Sequence, residues 1–355
     1  MNIARQRLVN QRLIDRPFTT AADVVRWLGA VQSQDFPNAK WALGLRMRAA
    51  TNEQIDDAFN RGEILRTHAL RPTWHFLAAD DVRWILKLTA PRVQAANAGI
   101  YRRYELDDTA FRAARRIITK ILAGKQSLTR GEIAQHLNAK GMNAIGQRAT
   151  YIVMHAELCG LICSGPIRNK QHTYMLLDER TPPGAALDGD AAIAELARRY
   201  YQSHGPATVH DFAWWSGFSV GQARRAVEMV GQELISTAID GKTYYFRDAV
   251  AARVRSPVIH FLPNYDEHVV AYRDHGPSLD PRTPDALAGW GNGLTSHVVS
   301  LNGLAVGGWR RTLDKTGVAV RLSLGVRLKP GERAGLARAA ARYGAFVGLP
   351  VALSS

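Results

Sequence analysis

The chain has 355 residues, 46% hydrophobic and 22% charged, and no apolar run approaches the ~20 residues of a membrane-spanning helix. That balance excludes a disordered chain and predicts a soluble globular protein of roughly two to four domains. Lys and Arg total 46 against 31 Asp and Glu, so the formal charge of +15 favours a polyanionic partner, with DNA or RNA ahead of an anionic membrane surface. The arginines are scattered and form no basic tail, which argues for a folded basic face. Arginine content also follows genomic base composition, so charge alone does not decide the partner.

In chain order, Met1–Arg7 lacks a secretory apolar region and reads as helical, which predicts a cytoplasmic protein. The first strongly patterned helix carries Ala22, Val25, Trp27, Leu28 and Val31 at apolar positions and closes into Gly29-Ala-Val-Gln-Ser-Gln-Asp35. Gln32 and Gln34 arrive one residue apart, followed by Asp35 and a chain reversal at Phe36-Pro37-Asn38. If the helix frays at Gln32, extended backbone puts side chains i and i+2 on one side, where two amides converge on a small polar object such as a water. The plainer reading is a polar helix end.

A pattern then recurs. Thr20-Ala-Ala-Asp23, Thr129-Arg-Gly-Glu132 and Thr208-Val-His-Asp211 each place a Thr three residues before an acid and two apolar residues, the arrangement of a capping box. A second helix follows, from about Gln147 to Cys159 in the second copy and from about Gly221 to Val230 in the third. Each is followed by a hairpin-like segment, the third turning at Asp240-Gly241. Helix, turn, helix and β-hairpin is the layout of a winged helix, whose second helix commonly enters the major groove. The first copy fits more loosely, with a helix near Asn52–Asn60 and strands Glu63–Ala69 and Pro72–Leu77. Winged helices also serve protein contacts, so at least one copy is expected to be scaffold.

Between these units, Asp80–Asn97 reads as an amphipathic helix kinked or divided at Pro91, and Asp107–Ala123 as another helix. Cys159 and Cys163 lack metal-ligand spacing and read as core residues in a reducing compartment, so no metal site is expected. The stretch Asp178–Gly184 is a linker. Beyond Val250, short β-prone runs at Pro257–Leu262, Thr295–Leu301, Leu304–Gly308 and Val318–Leu328 suggest a small barrel or curled sheet, closed by a helix at Gly331–Tyr343. Gly289–Gly293 lacks the Lys and helix of a phosphate-binding loop and reads as a plain loop. The predicted class is α+β: tandem winged-helix units with a small β-barrel-like C-terminal domain. Its expected divisions are residues 1–105, 106–180, 186–250 and 255–355.

Four passages carry a family resemblance: Ala30-Val-Gln32-Ser-Gln34-Asp35, Leu70-Arg71-Pro-Thr-Trp74-His75-Phe-Leu77, Phe261-Leu-Pro263-Asn-Tyr-Asp266-Glu267, and the hairpin of Asn302-Gly303 with Gly308-Trp309-Arg310. Together they resemble the winged-helix family of AlkZ- and YcaQ-type bacterial DNA glycosylases. In that family a Gln-x-Gln pair is catalytic in the AlkZ type and Gln-x-Asp in the YcaQ type, so the resemblance implies that Gln32 and Gln34 carry the chemistry. Ser33 departs from the usual apolar middle residue, which bears on substrate fit. The resemblance implies an enzyme acting on double-stranded DNA with bulky or cationic N-alkylpurines, crosslinks among them; a repair enzyme on one lesion is expected to be a monomer, no cofactor is expected, and the expected location is the nucleoid.

The chemistry is physically reasonable. A purine alkylated at N7 is cationic and already primed to leave, through a transition state resembling an oxocarbenium ion. An amide is no general base at neutral pH, but its carbonyl dipole orients water and faces developing positive charge. Lys40 is the one lysine beside the motif, so no Schiff-base chemistry is expected. Arg71, Arg310 and Arg311 are candidate phosphate or groove contacts, with solvated surface as the alternative. His75 either meets DNA or packs. Trp214-Trp215 is core or a stacking platform. Asp266-Glu267 reads as salt-bridge partners, with positioning of a loop as the functional option. A non-catalytic winged-helix regulator is the competing class, though no dimerisation signal supports its two-fold symmetry. A scaffold protein is a third option.

Overall fold

Thr129 and Thr208 open their helices through complete capping boxes, in which the Thr hydroxyl accepts an amide of the first turn and Glu132 or Asp211 reaches back to the Thr amide. At Thr20 only the forward half forms, from Asp23 N–H to the hydroxyl. The computed structural model describes residues 1–184, 186–248, 257–283 and 297–354. The chain divides into two compact units, residues 57–193 and residues 1–56 with 194–355. No helix among the described residues is long and apolar enough to cross a membrane.

In residues 57–193, strands Ile64–Ala69 and Thr73–Ala78 form an antiparallel hairpin pairing Thr67 with His75. Its turn holds Leu70 at φ 58°, a left-handed conformation uncommon outside glycine. Helix Val82–Arg103 runs through Pro91 unbroken, so the division expected there does not occur. Packing explains the continuity, since Ala90 and Val93 on either side of the proline are buried against Met154 and Leu158. Helix Asp108–Leu122 buries Phe111, Ala114, Ile118 and Leu122, spaced three or four apart on one face. These meet Ile133 and Leu137 of helix Arg130–Asn138 and Ile152 and Val153 of helix Gly146–Leu158. Strands Leu128–Thr129, Thr173–Leu176 and Ile162–Ser164 then lie side by side in that order. Cys163 is buried as expected, whereas Cys159, capping a helix end, is exposed.

In the other unit, helices Val209–Ser216 and Val220–Val230 precede an antiparallel hairpin, Ile235–Ile239 with Lys242–Phe246. Five further strands form one mixed sheet, ordered Val351–Ser354, Val318–Leu324, Leu304–Leu313, Val298–Leu301 and Ile259–Leu262. Among the described residues this sheet is open, correcting the expected barrel. Its end strands do not pair, and helix Pro330–Val347 covers a face instead, bringing Gly335 against Ile259. Val318, Val320 and Leu322 are buried while Ala319, Arg321 and Ser323 are exposed, the period-two signature of a sheet with one dry face. Strand Val351–Ser354 pairs parallel to Val318–Leu324 and had no predicted counterpart. The stretch 289–293, read as a loop, lies outside the described residues.

Strand Ile259–Leu262, at the edge of this sheet, is fully buried, and two buried indoles fasten its carbonyls. Trp41 Nε1–H donates to Phe261 O at 2.7 Å and Trp309 Nε1–H to Leu262 O at 2.8 Å. Phe261 and Trp309 stack at 5.3 Å, and Trp41 meets Tyr343 and Phe346 of the covering helix. The residues that follow this strand are thereby set on a rigid base.

Candidate active site

Helix Ala21–Leu28 stops at Gly29, whose φ of 79° suits glycine and turns the chain sharply. Extended backbone covers only Val31–Gln32, and Gln34 lies in a bend. Gln32 is 6% exposed, Ser33 is fully buried and Gln34 is exposed. The expected reversal at Phe36-Pro37-Asn38 is instead the first turn of helix Phe36–Gly44. Asp35 is its N-cap, with Oδ1 accepting Asn38 N–H at 3.2 Å and Oδ2 accepting Asn38 Nδ2–H at 2.8 Å.

The glutamine loop is held from below by the segment after the fastened strand. Tyr265 adopts a φ of 58°, so the chain turns tightly at 264–265. Asn264 Nδ2–H donates to Asp35 Oδ2 at 3.2 Å. Glu267, 1% exposed, accepts the Gln32 backbone N–H on Oε1 at 2.7 Å and the Trp215 indole N–H on Oε2 at 3.0 Å. His204 Nε2 stands 3.4 Å from the same Oε2. Burial pushes the His204 imidazole below its ordinary pKa, a shift that the nearby Glu267 opposes.

Asp266 forms the expected salt bridge with Arg46, whereas Glu267 pairs with His204 as an ion only when that imidazole is protonated. Arg46 grips it bidentately, with both N–H···O distances 2.9 Å, and both side chains are fully buried. Burial alone would raise the Asp266 carboxyl, but the Arg46 charge and hydrogen bonds hold it below the usual range. Arg46 also donates to Gln11 Oε1 at 2.6 Å, and Gln11 Nε2–H donates to Glu267 O at 3.2 Å. The glutamine loop, the 263–267 turn and the N-terminal helix Ile3–Asn10 with its C-cap Gln11 thus share one buried polar network. Sequence reading missed Glu267 as a partner of the loop, because 235 residues separate it from Gln32.

The other candidates are distributed. Arg310 is exposed and Arg311 half-buried, in the outer part of strand Leu304–Leu313 rather than at the Asn302–Gly303 turn. Arg311 Nη1–H donates to His297 Nε2 at 3.3 Å and its guanidinium lies 5.6 Å from the Trp309 ring. Burial first, and Arg311 second, push the His297 imidazole down to about 4. Arg71 and His75 belong to the other unit. Arg71 is half-buried at the hairpin turn, whereas His75 is fully buried with Nδ1–H donating to Thr73 O at 3.0 Å, so its ring packs. Trp215 is core and Trp214 is 38% exposed. Lys40 Nζ sits 2.7 Å from both carboxylate oxygens of Asp56.

Fold and site together define a mixed α/β protein that carries a Gln-Ser-Gln loop on a buried carboxylate. A family model described as DNA glycosylase AlkZ-like matches residues 25–346. The chain belongs to the AlkZ-like family of DNA glycosylases. It is 25% identical over 331 residues to an interstrand DNA cross-link repair glycosylase of Streptomyces sahachiroi, covering 85% of each chain. Its fold is similar to the solved structure of the DNA glycosylase AlkZ of the same organism, with a TM-score of 0.80 and 21% identity over 99% of this chain and 98% of the other.

Proposed function

We propose that this chain hydrolyses the N-glycosidic bond of bulky or cationic N-alkylpurines in double-stranded DNA, with the attacking water oriented by Gln32 and Gln34. The observation that carries this reading is the anchoring of the Gln-Ser-Gln loop by Glu267 through the Gln32 amide at 2.7 Å. A loop held by a buried carboxylate meets the positional demand of catalysis by neutral amides, whose dipoles act only when correctly aimed. Gln34 is exposed to an incoming duplex while Gln32 sits beneath the surface. A cationic leaving base departs without strong acid assistance, so two carbonyl dipoles facing an oxocarbenium-like sugar suffice, and an ordinary nucleoside is left intact. Lys40, ion-paired to Asp56, is not poised as a nucleophile, which favours a water-using monofunctional enzyme.

The helix–helix–hairpin successions at 130–176 and 209–246 are read as winged helices, with a looser first copy ahead of them and the β-rich region as a fourth part. Arg71, Arg310 and Arg311 are the proposed backbone contacts, and the enzyme is read as a monomer on one lesion. The cross-link glycosylase among its relatives makes interstrand crosslinks of N7-alkylguanine type a natural substrate to try. A non-catalytic DNA-binding protein is the alternative.

Duplex containing N7-methylguanine, incubated with the protein and scored for abasic sites, tests this directly. Gln32→Ala and Gln34→Ala should each lower base release by one or more decades, about 1.4 kcal/mol per decade, while duplex affinity holds. Equal base release by wild type and both variants discards the assignment and leaves a protein that only grips DNA.

A further inference from the structure

Away from the glutamine loop, a cavity of about 460 Å³ opens between the 13–16 segment, strand Ile259–Leu262 and helix Pro330–Val347. That volume lies within the ~300–1,000 Å³ typical of small-ligand sites. Arg16, Arg338 and Arg342 line it together with His260, and among the described residues no acidic side chain does. Among the described residues none of these three arginines has a carboxylate at ion-pairing distance.

Arg342 makes the charge imbalance acute. Its Nη2–H groups are directed at main-chain carbonyls, at 3.0 Å to Gly44 and 2.6 Å to Leu45, which cap the end of helix Phe36–Gly44. Those partners are neutral. Burial pushes this guanidinium down to about 9, and the charges of Arg16 and Arg46 push the same way. A buried cation is ordinarily paired, because desolvation without a counter-charge costs several kcal/mol. His260, 4% exposed, donates Nε2–H to Leu13 O at 3.1 Å, and among the described residues its buried Nδ1 has no hydrogen-bond partner. Arg16, on the rim, has a left-handed backbone φ of 46°.

From this we infer that the cavity is a binding site for a phosphomonoester of nucleotide size, held by Arg16, Arg338 and Arg342. Guanidinium forks match the oxygen geometry of a phosphate group. A dianion balances three guanidiniums that have no carboxylate partner among the described residues better than the single charge of a carboxylate or a backbone phosphodiester. The phosphate comes either from a free nucleotide or from the 5′-phosphorylated end of a DNA strand, and the experiment separates the two.

The full chain and its Arg16→Gln/Arg338→Gln double variant are titrated calorimetrically at constant ionic strength, with thermal melts confirming that the variant folds. Arg342 is left intact because it caps a helix. The probes are sodium phosphate, AMP, sodium acetate, and one short single strand with and without a 5′-phosphate. Saturable binding of phosphate and AMP to wild type, little response to acetate, and at least a tenfold loss in the double variant support the site. Strand binding at least tenfold tighter with the 5′-phosphate than without it assigns the strand end. AMP binding without that preference assigns the free nucleotide. Absence of saturable binding to wild type, acetate matching phosphate, or unchanged affinity in the variant each overturns the proposal.

Discussion

Glu267 Oε1 accepts the backbone N–H of Gln32 at 2.7 Å, joining a carboxylate in the last third of the chain to a loop near its start. The second oxygen of the same carboxylate accepts the Trp215 indole N–H. Two obligate donors therefore face two acceptors, and the orientation of the loop depends on both.

Glu267→Gln follows from that geometry. The amide keeps one acceptor but turns an NH₂ group toward one of the two N–H donors, leaving a buried donor unsatisfied at a cost of about 1–3 kcal/mol. Base release from N7-methylguanine duplex should fall by one to two decades, with duplex affinity nearly unchanged, since Glu267 is buried. A kcat loss together with unchanged KM is the expected signature, and Glu267→Asp should fall between. Wild-type turnover by Glu267→Gln would show that the anchor has no part in the reaction.

Gly303→Ala probes how the Asn302–Gly303 turn seats the sheet. Gly303 has a φ of 91°, and a Cβ there would stand 2.6 Å from Ala4 O, a backbone atom that has no easy retreat. Backbone strain and overlap together should cost about 2–4 kcal/mol. A denaturant midpoint indistinguishable from wild type would contradict the close approach.

The pH dependence of stability has a definite sign. Burial, as the leading cause, pushes His260 down to about 3 and His268 and His297 down to about 4. Their unfolded values lie near ~6.5, so between that pH and the folded values the unfolded chain binds more protons. Stability is therefore complete above about pH 6.5 and is lost as pH falls toward 4, by about 2 kcal/mol per imidazole at pH 5. Asp266, held low by Arg46, adds to the loss only in stronger acid, below the ordinary Asp value of 3.8. Urea midpoints that stay level from pH 7 to pH 5 would show that these imidazoles titrate freely in the folded chain.

Much of the local structure was legible in the residues themselves. The boxes at Thr129 and Thr208, the helices they open and the Asp240–Gly241 hairpin depend on contacts within a few residues, which sequence spacing reports directly. The Gln-Ser-Gln motif could likewise be singled out, although its surroundings could not. What tertiary structure alone decided were the long-range pairings: Glu267 on Gln32, Asn264 on Asp35, Arg46 on Asp266. It also decided that among the described residues the sheet stays open under helix Pro330–Val347, that the helix through Pro91 does not break, and that His75 packs inside. The reason is common to all of these. Periodicity and capping are set by neighbours along the chain, whereas the partner of a buried polar group is whichever group the fold carries to it, and spacing holds no record of that distance.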